Sequence, residues 1–234
     1  MKIGILGAMD QEVALLKASL QDVTVSEYAH LTFYAGTLHG VEVVVVKCGI
    51  GKVAAAVATT ILIDRYAPDF VVNTGSAGGF DKDLNIGDLV VADFVQHHDV
   101  DLTHFGYERG QTYGMPAKFA CDQRLIEAAE QAARDVVHIQ SKRGLICTGD
   151  AFIGSDDVVA RLRDLFPEMR AVEMEGAAIA QTCHMLETPF VVIRSLSDIA
   201  GKTSSMSFSQ YIDIAAKHSA ELVMGMIAAL APKG

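Results

Sequence analysis

The chain has no apolar stretch near the roughly 18 residues that a membrane-spanning helix requires, and no run of lysine and arginine. The first absence excludes a transmembrane span. The second, with 19 basic against 29 acidic side chains and a formal net charge of −10, disfavours a generic nucleic-acid binder, because that mode draws its affinity from clustered cations. Neither a membrane nor a nucleic acid is expected as a partner, and neutral or cationic small molecules fit better. The four cysteines, Cys48, Cys121, Cys147 and Cys183, include no close pair, so neither a zinc ribbon nor a disulfide framework is suggested. They read as reduced, mostly buried thiols. The amino terminus lacks the apolar core of a secretory signal: Met1 and Lys2 lead into a short strand ending at Gly7, and Asp10 and Glu12 follow. A cytoplasmic protein is expected. Prolines number only five, and no linker, repeat or low-complexity segment interrupts the sequence, so residues 1–234 are read as one domain.

Half the residues are apolar and 21% are charged, which excludes a disordered chain and supplies a core able to hide roughly 70% of the unfolded surface. Short β-branched runs alternate with longer helical patterns. Strands are predicted at Ile3 to Leu6, Val41 to Lys47, Phe70 to Asn73, Leu89 to Ala92, Gly144 to Cys147, Ala171 to Met174 and Phe190 to Arg194. Helices are predicted from Asp10 to Leu20, Lys52 to Tyr66, Gln123 to Arg134, Val158 to Phe166, Ala177 to Leu186 and Ser209 to Leu230. Nearly continuous apolar strands separated by helices indicate an α/β fold, a parallel-rich sheet covered on both faces. The stretch from Gln96 to Phe119 is the exception. It is long, aromatic and aperiodic, and it reads as a lid or an interface.

Gly49-Ile50-Gly51-Lys52-Val53 follows a strand and opens a helix, but it is not a P-loop: the first glycine would fall at Val46, and Val53 has no hydroxyl for magnesium. As a dinucleotide fingerprint with Ala54 it lacks the acid that should end the next strand, where Asn73 stands. A tight strand-to-helix turn is the simpler reading, and such a turn still exposes amide groups that can line a pocket. The run Asn73-Thr74-Gly75-Ser76-Ala77-Gly78-Gly79 is no nucleophile elbow, since Thr74 stands where glycine is required. It reads as a glycine-rich segment closing a strand, either a plain structural turn or a place where backbone meets a ligand at the carboxyl end of the sheet. His97, His98, Asp99, Asp101 and His104 resemble metal ligands only superficially, since neighbours on an extended chain point opposite ways. A polar loop or subunit contact is expected there, with no metal and no other cofactor.

Val172-Glu173-Met174-Glu175-Gly176 ends an apolar strand with two carboxylates flanking a methionine, and residues two apart on a strand face the same way. Capping the following helix is the alternative use of one of them. Arg194-Ser195-Leu196-Ser197-Asp198 ends another strand, so Glu173, Glu175 and Asp198 can converge on one edge of the sheet, where Glu12 can join them. Four carboxyl groups around one pocket repel one another unless one is protonated or each has its own partner. That arrangement separates acid from base roles.

Taken together, these motifs resemble the 5′-methylthioadenosine/S-adenosylhomocysteine nucleosidases of the nucleoside phosphorylase fold superfamily. The resemblance runs end to end through Gly4 to Met9 with Glu12, Gly49 to Lys52, Asn73 to Gly78, Gly149 to Phe152, Val172 to Glu175, and Ser197-Asp198. It implies a single-domain, three-layer α/β/α fold around a mixed, mostly parallel sheet, and hydrolysis of the N-glycosidic bond of adenine nucleosides. By the same resemblance Asp198 protonates N7 of adenine, with Ser197 orienting it. Glu12 positions and deprotonates the attacking water, and Glu175 binds the ribose hydroxyls beside Met174. Phe152 stacks on the base and the backbone of Ile153 reads its edge. Met9, Ile50, Ser76, Ala77, Gly78, Glu173, Arg194 and Phe208 complete the pocket. The resemblance also implies a homodimer in which Leu102, Phe105 and Tyr107 of the partner subunit close over the 5′ tail.

The chemistry suits these residue types independently. Breaking an N-ribosidic bond places positive charge on the sugar and negative charge on the departing base, so an acid at the base and anions near the sugar act chiefly in the transition state. A purine nucleoside phosphorylase on the same fold would need cations to hold phosphate. The related bacterial phosphorylases carry arginine where this chain has Asn73, and a glycine-rich phosphate loop where it has Met9 to Glu12. Water is therefore expected as the nucleophile. A purine-binding protein without catalysis is disfavoured by the joint presence of Glu12, Glu175 and Asp198. Gly176, Gly154-Ser155 and Tyr113 depart from the usual family residues and are expected to bear on the 5′ tail.

Overall fold

The computed structural model describes residues 1–134, 139–200 and 204–232. Strand β1 (Lys2–Gly7) is buried at all but its first residue and feeds α1 (Asp10–Ser19). A meander of β2 (Gln21–Tyr28), β3 (Leu31–Leu38) and β4 (Val41–Lys47) follows, and its second turn places His39 and Gly40 at φ +51° and +76°, the two positive values of a two-residue hairpin turn. Next come α2 (Lys52–Tyr66), β5 (Phe70–Gly79) and β6 (Leu89–His97). Beyond one 3-10 turn at Thr103–Phe105 lie the short β7 (Phe119–Ala120), α3 (Gln123–Ala133), β8 (Ser141–Thr148) and α4 (Asp156–Leu165). The chain ends with β9 (Met169–Glu173), α5 (Gly176–Met185), β10 (Phe190–Ile199) and α6 (Ser204–Leu230). Among the described residues no helix is long and apolar enough to cross a membrane.

The strands form one mixed sheet in the order β10-β6-β8-β9-β5-β1-β4-β3-β2, with β10 pairing β5 as well. Strands β5, β10, β6, β8 and β9 thereby close into a ring, and β1, β4, β3 and β2 extend from it as an open wing. Pairs β1/β4, β1/β5, β5/β10, β6/β8 and β8/β9 are parallel, whereas β10/β6, β5/β9 and the β2-β3-β4 meander are antiparallel. The alternating side chains of buried strands divide the core. Leu6, Val44, Val46 and Val71 pack under Ala55, Ala58 and Leu62 of α2 and Ile179 and Cys183 of α5. Ile3, Ile5, Val43 and Val72 pack under Val13 and Leu16 of α1, Leu125 and Ala129 of α3, and Val223 and Ile227 of α6. A third cluster seats Val159 and Leu162 of α4 on Leu145 and Cys147. The sheet and the helices on its two faces make the three layers.

Several strands differ from the sequence expectation. The wing strands β2 and β3 carry no sustained apolar run, and β2 is exposed along its whole length, so nothing in their composition marks them. The glycine-rich run Asn73 to Gly79 is no turn. It continues β5, whose far edge pairs β10 as far as Gly79. Likewise β10 runs on through Ser195, Ser197 and Asp198. His97 is the last residue of β6 rather than part of a polar loop, and the expected loop from Gln96 begins in that strand and ends in β7.

One consequence of β5 positions the site. Its near edge pairs β1 only through Asn73 and β9 only from Gly78. Between those points Thr74 to Ala77 have no strand neighbour on that side, and a cleft opens at the carboxyl ends of the central strands, where a change of strand neighbours commonly makes one.

Candidate active site

The cleft leads into a cavity of about 280 Å³, lined by Ala8, Met9, Glu12, Ile50, Ser76, Ala77, Gly78, Phe152, Val172, Glu173, Met174, Glu175, Ser197, Asp198 and Phe208. Its chemistry begins at the start of α1. Met9 is the N-cap and offers no capping oxygen, so Glu12, three residues on, turns back over the helix end. Glu12 Oε2 accepts hydrogen bonds from the N–H groups of Ala8 at 2.7 Å and Met9 at 3.1 Å. Its Oε1 accepts from the N–H of Ser76 at 2.9 Å and the Ser76 hydroxyl at 3.0 Å. Ser76 belongs to the unpaired edge of β5, and Glu12 thus does for that backbone what a neighbouring strand would have done. Gly75 allows the approach: a Cβ there would lie 2.6 Å from Glu12 Oε1.

Glu175 is held from across the cavity. The turn at Gly49 to Gly51, with φ of +84° and +93° at its two glycines, aims the Gly51 N–H at Glu175 Oε1 at 2.8 Å. Glu175 is buried, and burial followed by repulsion from the Glu173 carboxylate raises its pKa above the ordinary range. Glu173 itself lines the cavity but has its oxygens engaged. It accepts hydrogen bonds from the Thr148 hydroxyl, from the N–H groups of Glu175 at 3.1 Å and Gly176 at 2.8 Å, and from the Arg194 guanidinium. Capping α5 is therefore part of its role. Arg194 lies behind the cavity rather than on its wall: it is 2% exposed and also donates to Asn73 Oδ1 at 2.5 Å.

Asp198 is buried and lines the same cavity. The register of β10 on β5 slips between Leu196 and Asp198, a bulge of the kind that re-aims a side chain beside a site. Ser197 donates its hydroxyl to Asp198 Oδ1 at 3.0 Å, and burial, outweighing that bond, pushes the carboxyl up to about 6. Phe152 and Phe208 meet edge to face with centroids 5.9 Å apart and form the apolar lip. Ile153 lies just beside, lining a small adjoining hollow with Phe152, Met174 and Asp198.

Other expected residues are not brought to this cavity. Leu102, Phe105 and Tyr107 line no part of it, Phe105 being 73% exposed. Gly176 packs beneath the Glu173 carboxylate and Tyr113 is 81% exposed, and neither lines the cavity. His97 bonds Gln181 through Nε2 at 3.0 Å, and Asp99 pairs with Lys52 at 2.7 Å. All four cysteines are unpaired, and burial raises each thiol, Cys121 to about 12, which suits packing and not nucleophilic attack. Ala8 and Val172 also line the cavity; both lie inside the motifs, each next to a residue with an expected role.

Residues 2–228 match the family model of the phosphorylase superfamily. A 5′-methylthioadenosine/S-adenosylhomocysteine nucleosidase from Tolumonas auensis is 53% identical over 227 residues, covering 97% of this chain and 99% of that protein. The structure of a nucleosidase of the same description from Colwellia psychrerythraea, in complex with adenine, superposes with a TM-score of 0.97 at 55% identity, covering 98% of this chain and 96% of that one. The Neisseria meningitidis nucleosidase in complex with methylthio-immucillin-A gives 0.95 at 47% identity, covering 97% and 98%. The chain belongs to the phosphorylase superfamily and, within it, to the 5′-methylthioadenosine/S-adenosylhomocysteine nucleosidases.

Proposed function

We propose that this enzyme hydrolyses the N-glycosidic bond of 5′-methylthioadenosine and S-adenosylhomocysteine, releasing adenine and the 5-thioribose product, with 5′-deoxyadenosine as a further substrate. One observation carries the choice of water over phosphate. The amide groups at the start of α1 and on β5, which would otherwise bind an anion, are occupied by the carboxylate of Glu12. A phosphate dianion brought there would meet a fixed negative charge, and the nearby Arg194 is already paired with Glu173.

The residues divide the reaction by their surroundings. Adenine enters between Phe152, Phe208 and the backbone of Ile153. Asp198 keeps its proton to higher pH than an exposed aspartate, and its Oδ2, free of Ser197, delivers that proton to N7 as the bond from N9 to C1′ breaks. The bonding pair leaves with the base and the ribosyl ring becomes cationic. Glu175, anchored through one oxygen by Gly51, offers the other to the ribose hydroxyls with Met174 alongside. Water attacks C1′ and yields its proton to Glu12, which Ser76 holds in place.

Ile50, Val53 and Met185 are 58%, 76% and 61% exposed and give the α2 and α5 side an apolar face suited to a second copy. The protein is a homodimer, and Leu102, Phe105 and Tyr107 of the partner subunit close the 5′ end of the pocket. Four unpaired thiols suit a cytoplasmic location. Turnover in 18O-labelled water tests the nucleophile: the label is expected on C1 of the thioribose, and an unlabelled sugar phosphate would contradict the reading.

A further inference from the structure

Helix α2 begins without a cap of its own. Gly51 at its N-cap has no side chain and its first turn carries no acid. The missing acceptor comes from 98 residues away: Asp150 Oδ1 accepts the N–H of Lys52 at 2.7 Å. Asp150 is in turn held by its own N–H, which donates to Asp99 Oδ2 at 3.0 Å. The other oxygen of Asp99 accepts the Lys52 ammonium at 2.7 Å. Three segments are thus tied into a closed triangle: the turn before α2, the turn after β8 and the stretch after β6.

Two of its corners adjoin different parts of the pocket, and Asp99 braces them from outside it. One residue before Lys52, the Gly51 N–H holds Glu175; two residues after Asp150 stands Phe152. Asp150 itself lines no part of the cavity. The geometry points to Asp150 as a positioning residue that fixes the spacing between the adenine wall and the ribose clamp, acting through Lys52 and Gly51 with Asp99 as its support. This rests on the nucleosidase reading. A nucleoside that bridges both walls depends on their spacing, because binding one end holds the other near its subsite. Adenine alone engages one wall and does not.

The test compares the KM for 5′-methylthioadenosine with the inhibition constant of adenine in wild type, Asp150→Ala, Asp150→Asn and Asp99→Ala. The alanine variant at Asp150 is expected to raise KM by about fivefold or more, the scale of a lost helix cap, and to change adenine inhibition less than twofold. Asp150→Asn keeps an acceptor for the Lys52 N–H and should recover most of the loss. Asp99→Ala, at a partly exposed position, should reproduce the KM effect in a folded protein. Equal weakening of nucleoside and adenine, or unchanged constants in both Asp150→Ala and Asp99→Ala, would overturn the positioning role while leaving the nucleosidase reading intact. A folded wild type that releases no adenine would overturn that reading, and this role with it.

Discussion

Glu173 and Arg194 form an ion pair in which both side chains are 2% exposed. Burying two charges is costly, and hydrogen bonds from Thr148 and the backbone of α5 to Glu173, and from Arg194 to Asn73, offset part of that cost, although Arg194 Nε has no partner among the described residues. Removing either partner strands the other. Arg194→Ala is expected to lower unfolding free energy by about 3–5 kcal/mol, read by denaturant titration. A loss below about 1 kcal/mol would mean that water or another cation reaches Glu173 readily.

The pH dependence should report Asp198. The proposed acid must hold its proton to act, and burial moves its titration to about 6. In wild type kcat/KM is therefore expected to fall as pH rises through that region, with Asp198→Asn removing this limb and costing about 10²- to 10⁴-fold in kcat. A limb that persists in the variant would assign the proton to another group.

Asp198 also weakens the fold that holds it. Unfolded, it ionises near 3.8; folded, it does so near 6, so the native state holds the proton longer and stability falls as pH rises between those values. Above that window the cost is fully present. Asp198→Asn, which keeps an acceptor for Ser197, is expected to be more stable than wild type by about 1–3 kcal/mol at pH 8, with the difference fading below pH 4. Paired thermal melts at the two pH values measure it.

Gly75 sets the position of Glu12. An added methyl would lie 2.6 Å from the carboxylate oxygen and 2.8 Å from its carbon, so the side chain must move. Gly75→Ala is expected to lower kcat by about 10- to 100-fold, the scale of a displaced reacting group. Glu12→Gln in the same background should then add little further loss. Full additivity would separate the two residues.

Much of this was readable in the sequence because strand ends carry the chemistry. β1, β4 and the first half of β10 announce themselves by apolar runs, and Glu12, Glu175 and Asp198 lie at or just beyond strand ends, which is how topology brings them to one cavity. The wing strand β2 was not readable, since an exposed edge strand needs no apolar periodicity. Nor was the length of β5 or β10. Glycine and serine there usually signal a turn, but in this fold the strands run on side by side to Gly79 and Ile199. The resemblance implies Arg194 as a pocket residue, and only the packing of Glu173 and Asn73 around it shows why it sits behind the wall. Asp150 was out of reach for another reason. Its partners are 98 and 51 residues away, and no local pattern encodes such a contact.

Adenine release from 5′-methylthioadenosine in phosphate-free buffer is the most direct measurement of the proposed hydrolysis. Wild type is expected to liberate adenine and 5-methylthioribose at a rate that added phosphate does not increase. Activity that appears only with phosphate, with a thioribose 1-phosphate as product, would contradict it.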